Sequence, residues 1–515
     1  MSLKKRLKSI GMIAVVAGLI YVAAIWGTRG ETAGDAEMPF ASEGKDTLYL
    51  WYTDESLTSY LSGAAVTYNE THDVRVVPVL TSGLEYLETI NEASLTEEVP
   101  DMFVVSHDSL EKAYLAGLAE EVKPAEGFVM ENTYIGTGIQ AATYKDKIIG
   151  YPFYFETSSL LYNKTYLEQM AQKKVEAEAD LEAAQEAEKE LEENGPEQGD
   201  GGRDEGMPDL PSQSASEEAP LELTEEEKLL VEQRMQELLP TTIEDIKTIA
   251  DSYDAPEGVE AIFKWDVTDI FYNYFFIGDT INMGGEAGWD ISQIDIYNEN
   301  AIESMRAYEE LNQFFSIDTS EIAYEKVIDE FVSGKVIFTV ATTDVIAKLE
   351  QAKEDGLFAF EYGILETPDI DDNISTRSLS MTNCVAINGY GEHRAEANDF
   401  ARFLTAEYSD ILYARSGKVS AIQNADYGYE ALQVFAKEYE SSISMPKMIE
   451  TSNFWVQLEV VFAQVWDGAD ANMELKHLSE QMIQQITGRE YVEEYIREPE
   501  KQKEETESDE QDTES

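Results

Sequence analysis

Cysteine is almost missing from this chain: Cys384 is the only one in 515 residues. No intrachain disulfide can form, and no cysteine cluster can hold zinc. Histidine is nearly as scarce. His72, His107, His393 and His477 show no paired ligand spacing, and neither G-x-S-x-G nor H-E-x-x-H occurs, so the common hydrolase and metalloprotease signatures are absent. The third shortage is positive charge, with 37 Lys and Arg against 103 Asp and Glu, a net charge of -66. Such a polyanion is repelled by phosphate backbones, which excludes nucleic acid as a partner. The expectation is a protein with no metal, no cofactor and no nucleic-acid ligand.

The few cations are concentrated at the start. Lys4, Lys5, Arg6 and Lys8 precede the uncharged run from Ile10 to Trp26, the pattern of an export segment. Residues 1–28 are expected to be either an uncleaved N-terminal anchor or a signal peptide cut near Ala33 or Ala36. No cysteine follows the run, so a lipid-modified cysteine anchor is excluded. The basic flank places the rest of the chain outside, on the outer face of a bacterial cytoplasmic membrane or secreted. Residues 29–46 read as a Gly-, Ala- and acid-rich linker.

From Thr47 the chain alternates strand and helix patterns. TLYLWYTD, DVRVVPVL and DMFVVSHD read as strands, with helices between and after them. Further on, AIESMRAYEELNQFF and YEKVIDEFVSG read as helices, and KVIFTVATTD, EYGILETP and SLSMTNCVAIN as strands. RAEANDFARFLTAEYSDILYARSG then reads as one helix ending at Gly417. The alternation predicts an α/β protein. Residues 168–240 interrupt it with two charged helix patterns around a Gly/Pro/Ser-rich acidic tip, an inserted helical arm. Residues 498–515 form an acidic tail. A solvated surface is the plain reading of the arm; an envelope protein partner is the other.

Two motifs are rejected on their context. YIGTGIQAA has dinucleotide-like glycines but no strand before it, and DIDDNIS lacks the glycine and the glutamate of a calcium loop. Aromatic runs at 271–276 and 455–466 have helical spacing and are mostly core, although Trp455, in a first turn, suits a cleft. GYPFYFETSSLLYNK, residues 150–164, poses the sharpest question, because Glu156 interrupts an apolar strand. A buried carboxylate needs a partner such as a backbone donor or an arginine; otherwise it faces a ligand.

Several segments together resemble the maltose-binding-protein-like solute-binding proteins of ABC importers. VPDMFVVSHDSLEKAYLAGLAEEV resembles a family segment built on PD, HD and LAE. KIIGYPFYFETSSLLYNK resembles its GK…P…E…YNK segment, FVSGKVIFTV its F..G..AM segment, and TSNFW its PSNFW helix start.

The resemblance implies a two-lobed periplasmic-binding-protein-like fold (type II), each lobe a β-sheet flanked by helices, with a hinge and cleft between them. Lobe 1 would comprise 47–152 and 378–425, and lobe 2 would comprise 153–377 and 426–497. It also implies a non-enzymatic function: capture of an oligosaccharide or sugar derivative and delivery to ABC permease subunits. Carried over, the ligand-binding residues are Asp54, Glu55, Asp108, Glu156, Trp265, Asp266 and Trp455. Tyr151, Phe153 and Phe155 would divide between core and cleft. The chain departs from the family at Val105, Ser109, Asp344 and Glu459, where tryptophans and arginines are expected, which argues against a malto-oligosaccharide in particular. Two other readings stand beside it: an envelope scaffold with a degenerate cleft, and a glycan hydrolase using Asp108 and Glu156.

Overall fold

The computed structural model describes residues 45–96, 99–193, 224–315 and 317–497. The export segment, the linker through residue 44, the tip of the arm and the acidic tail lie outside the described residues. Among the described residues no helix is long and apolar enough to cross a membrane. Those from Thr47 onward form one compact unit.

Its frame is a sheet of ten strands. In chain order these are β1 (Asp46–Tyr52), β2 (Val74–Leu80), β3 (Met102–Ser106), β4 (Tyr151–Asn163) and β5 (Ala261–Phe263). The remainder are β6 (Val336–Thr342), β7 (Tyr362–Leu365), β8 (Leu379–Ile387), β9 (Val419–Ser420) and β10 (Ile443–Ser444). The spatial order is β2-β1-β3-β8-β4-β6-β5, with β7 and β9 also on β4 and β10 on β8. The expected strands therefore form where alternating or continuous apolar runs occur, and helix α1 (Thr58–Thr71) makes the first β-helix-β crossover.

Strand β4 joins the two lobes of the α/β fold. From Tyr151 to Thr157 it runs antiparallel to β8; from Ser158 to Tyr162 it runs antiparallel to β6. On its other edge, Tyr154 and Phe155 pair with β9, and Leu160–Asn163 pair with β7. Partners along both edges and packing on both faces explain the near-continuous apolar sequence. Of its 13 residues only Glu156 escapes burial. Around the first half lies a core of Leu48, Leu50, Tyr60, Phe153 and Phe400. Around the second half lies a larger one with Trp265, Phe276, Tyr308, Phe338 and Trp466.

Two long helices form the arm, α2 (Lys164–Glu193) and α3 (Glu225–Glu237). Met170 and Ala171 from the first and Met235 from the second are buried in the larger core. Farther out, Arg234 donates to Glu178 at 3.0 Å. The arm is thus rooted in the globule, not merely solvated along its whole length.

One helix differs from expectation. Residues 394–417 do not form a continuous α-helix: Arg394–Arg402 is α-helical, Phe403–Glu407 is a wide π-type turn, and the chain becomes α-helical again only over Leu412–Ser416. Tyr60 donates its hydroxyl hydrogen to the carbonyl of Leu404 at 2.6 Å, and Tyr134 and Thr405 share a hydroxyl bond at 2.6 Å. These contacts from elsewhere in the fold replace part of the helical ladder. Gly417 ends the segment with φ 71°, as its sequence position suggests.

A strap at 443–449 ties the two sides together. His107 is fully buried; its Nδ1 accepts the Thr382 amide hydrogen at 3.0 Å and its Nε2 donates to the Met445 carbonyl at 2.8 Å. Buried Lys447 donates to the carbonyls of Gln140 at 3.1 Å, Thr143 at 3.0 Å and Ala287. Glu111 accepts from the Ile449 amide at 2.8 Å.

Candidate functional site

The end of β1 and the middle of β4 supply the two carboxylates that the fold brings together. Asp54 caps the tight turn Glu55–Leu57, its Oδ1 accepting from the Ser56 amide at 2.9 Å. Its Oδ2 lies 3.0 Å from Lys418 Nζ. The same ammonium donates to Glu156 Oε1 at 3.1 Å. The register explains the meeting: Val419 pairs with Phe155 and Ser420 with Tyr154 in antiparallel sense, so Lys418 faces Glu156 across the strands.

Electrostatics within this triad are mutually supporting. Burial pushes the Asp54 carboxyl up, but hydrogen bonds from Ser56 and Lys418 together outweigh it and hold the group below the usual range. Burial alone would lower the Lys418 ammonium; the charges of Glu156 and Asp54 reverse that and raise it. The cation also sits 5.3 Å from the centroid of the Tyr154 ring.

Beside the triad opens a cleft of about 370 Å³, lined by Asp54, Ser106, Ser109, Lys112, Tyr154 and Asn383 among others. Asp108 lies in the tight turn between the two lining serines, half-buried, and accepts from the Ser106 hydroxyl. Glu55 is exposed in the turn after Asp54. Trp455 is half-buried in the first turn of helix Phe454–Trp466, against Tyr274 at 5.5 Å and Phe454 at 5.1 Å. It does not line the 370 Å³ cleft.

Two expected contacts are corrected. Trp265 has 0% of its surface exposed; it stacks on Phe263 at 4.4 Å and donates its indole hydrogen to Asn273 Oδ1 at 2.8 Å. A ring so enclosed, with its one donor satisfied, belongs to the core. Asp266 is buried too. Its Oδ1 accepts from the Thr268 amide at 2.9 Å and hydroxyl at 2.6 Å, and its Oδ2 from the Tyr324 amide at 2.9 Å. It organises loops, with both of its oxygens accepting hydrogen bonds from this chain.

Nor do Tyr151, Phe153 and Phe155 divide between core and cleft. Odd-numbered residues of one strand share a face, and all three are buried. Phe155 stacks on Tyr439 at 4.0 Å with the rings 1° from parallel. Tyr154 and Glu156 take the opposite face, and Tyr154, together with Tyr86, lines the cleft. The partner of Glu156 is likewise neither a backbone donor nor an arginine but Lys418, 262 residues away. In the sequence, Lys418 shows only as a lysine after a helix-ending glycine and before the short apolar run VSAI.

Comparison with known proteins now adds the family. Residues 63–427 match the bacterial extracellular solute-binding protein family. No curated protein matches the chain. An extracellular solute-binding protein from Staphylococcus aureus in complex with maltose superposes with a TM-score of 0.64 at 16% identity, covering 86% of this chain and 98% of that one. A cyclo/maltodextrin-binding protein complexed with maltotetraose gives 0.64 at 17% identity, covering 87% and 100%. A maltose-binding periplasmic protein from Listeria monocytogenes in complex with maltose gives 0.62 at 18%, covering 87% and 100%. At such identities the likeness carries the two-lobed fold. The match over residues 63–427 carries the family: the chain belongs to the bacterial extracellular solute-binding proteins.

Proposed function

We propose that this protein captures a carbohydrate in the cleft between its lobes and delivers it to the permease subunits of an ABC importer. The observation that carries the reading is the gathering of Asp54 and Glu156 around Lys418, next to a cleft whose lining, with serines, an asparagine and two tyrosines, supplies the lobe 1 wall of the site. Carboxylates and hydroxyls accept and donate hydrogen bonds to sugar hydroxyls, and aromatic faces suit the apolar face of a pyranose. The named proteins of like fold hold maltose and maltotetraose, which supports the same ligand class here.

The lobes, 47–152 with 378–425 and 153–377 with 426–497, would close on the ligand because only the closed form makes contacts from both walls. The carboxylates serve as acceptors in this reading, and no turnover of the ligand is expected. The basic and apolar N-terminal segment would anchor the protein to the outer face of the membrane, near the permease. Asp54, Asp108, Glu156 and Trp455 are the proposed contacts, with Glu55 at the rim. Calorimetry against a panel of neutral oligosaccharides tests the assignment. Binding by the wild type that survives intact in both Glu156→Ala and Trp455→Ala would refute it.

One observation favours a second reading, an envelope scaffold with a degenerate cleft: both carboxylates already have a partner in Lys418. Absence of binding across the whole panel, together with capture of one defined envelope protein through residues 168–240, would support that alternative.

A further inference from the structure

Lys418 belongs to none of the segments that carry the family resemblance, yet it bridges Asp54 and Glu156, two residues of the proposed site. We infer that Lys418 sets the charge and the free hydrogen-bonding atoms beside the cleft, so that the site takes an uncharged polyhydroxylated solute and holds cationic ones less tightly than the two carboxylates alone would. This rests on the reading of the cleft as a carbohydrate site.

Atom by atom, an ammonium has three hydrogens to donate and no acceptor. One goes to Asp54 Oδ2 at 3.0 Å and one to Glu156 Oε1 at 3.1 Å. Asp54 Oδ1 is occupied by the Ser56 amide. Glu156 Oε2 accepts from none of the described residues, and the third ammonium hydrogen meets no acceptor among them. A free acceptor and a free donor therefore stand side by side. That pair matches a sugar hydroxyl, which both donates and accepts.

Charge points the same way. Without the lysine, Asp54 in the lining of the cleft and Glu156 beside it would add two uncompensated carboxylates to Glu85, Glu88 and Lys112 of the same lining, in a protein whose net charge of -66 already concentrates cations around it. The ammonium cancels one of the two charges. Its side chain is 23% exposed and packed over the Tyr154 ring, so it is held in place and not dissolved in bulk water. Polyamines and aminated sugars would then meet a positive group at the point where the carboxylates would otherwise draw them in.

The test uses the full chain with Lys418→Met and the charge-conserving Lys418→Arg. Calorimetry measures maltotriose, cellotriose and xylotriose as the neutral probes and spermidine at low salt as the cationic one. Carbon-13 NMR follows the acid titration of the Asp54 carboxyl, assigned with Asp54→Asn. The expected result for Lys418→Met is affinity for the bound neutral oligosaccharide lowered about tenfold, spermidine binding strengthened, and the Asp54 titration moved to higher pH, with Lys418→Arg restoring all three. Unchanged spermidine binding and an unchanged Asp54 titration in Lys418→Met would overturn the inference. If the wild type binds no neutral glycan, the carbohydrate reading fails by itself. The spermidine and titration arms then still decide the role of Lys418, a gain and a shift upholding its control of charge and their absence refuting it.

Discussion

His107 and Met445 are 338 residues apart in sequence and joined by one hydrogen bond of 2.8 Å from the buried ring to the carbonyl. Burial, aided by the charge of Lys447, lowers the ring from its ordinary 6.5 to about 4. The unfolded chain therefore binds a proton between those values that the folded one does not. The stability held by the neutral ring is complete above about pH 6.5 and is lost as pH falls towards 4. Urea unfolding at a series of pH values should show this acid loss in the wild type. His107→Gln should flatten it and cost about 2 kcal/mol at pH 7, by leaving the Thr382 amide or the Met445 carbonyl unpaired.

Lys447 makes the opposite end of the pH range informative. Burial pulls its ammonium down from 10.5 to about 7, even though three carbonyls take its hydrogens. Here too the unfolded chain binds the extra proton, now between about pH 7 and 10.5, so this group adds stability as pH rises through that window. Denaturation curves at pH 7 and pH 9.5 should show a rise in the wild type that Lys447→Met removes. An equal rise in both proteins would contradict the assignment.

Gly278 abuts the chain where it enters β8. A Cβ placed there would lie 2.0 Å from the Arg377 carbonyl oxygen, a backbone atom that cannot swing aside. Gly278→Ala should cost about 3 kcal/mol, the upper end of what overpacking costs. Thermal unfolding followed by circular dichroism measures it, and a loss below about 1 kcal/mol would mean that the two segments part easily.

The two tryptophans carried over from the family should separate cleanly. Trp265→Phe removes a buried indole and its bond to Asn273, so it should lose about 2 kcal/mol of stability and leave sugar affinity within about twofold. Trp455→Ala, at a half-buried position, should reverse the pattern: a smaller stability loss and about tenfold weaker sugar binding. Calorimetry and thermal melts on the same preparations compare them.

Much of the frame is legible from local pattern. Strand β4 reads from its apolar run and its register shows why Glu156 stands out; the capped turn at Asp54 and the helix stop at Gly417 follow from residue type. What escapes is the pairing of distant segments. Nothing near Lys418 in the chain announces Glu156, and nothing near His107 announces Met445, because both meetings are made by strand order. Trp265 misleads for a related reason. A tryptophan followed by an aspartate suggests a ligand wall, and only the surrounding rings of Phe263, Phe276 and Trp466 reveal that it is enclosed. The π-type turn at 403–407 is likewise set by tyrosines from elsewhere.

The strand order also governs when the protein can fold. In the sheet, β8 lies between β3 and β4, yet in the chain it follows both, ending at Ile387 after the whole arm and most of the larger core have been made. Pairing across so long a loop is slow, and until it forms the first sheet has an unfilled gap. The β3-β8-β4 pairing can therefore be completed only after nearly four hundred residues have emerged. For an exported protein that delay is useful: the polypeptide can be threaded across the membrane as an extended chain before its architecture locks on the far side.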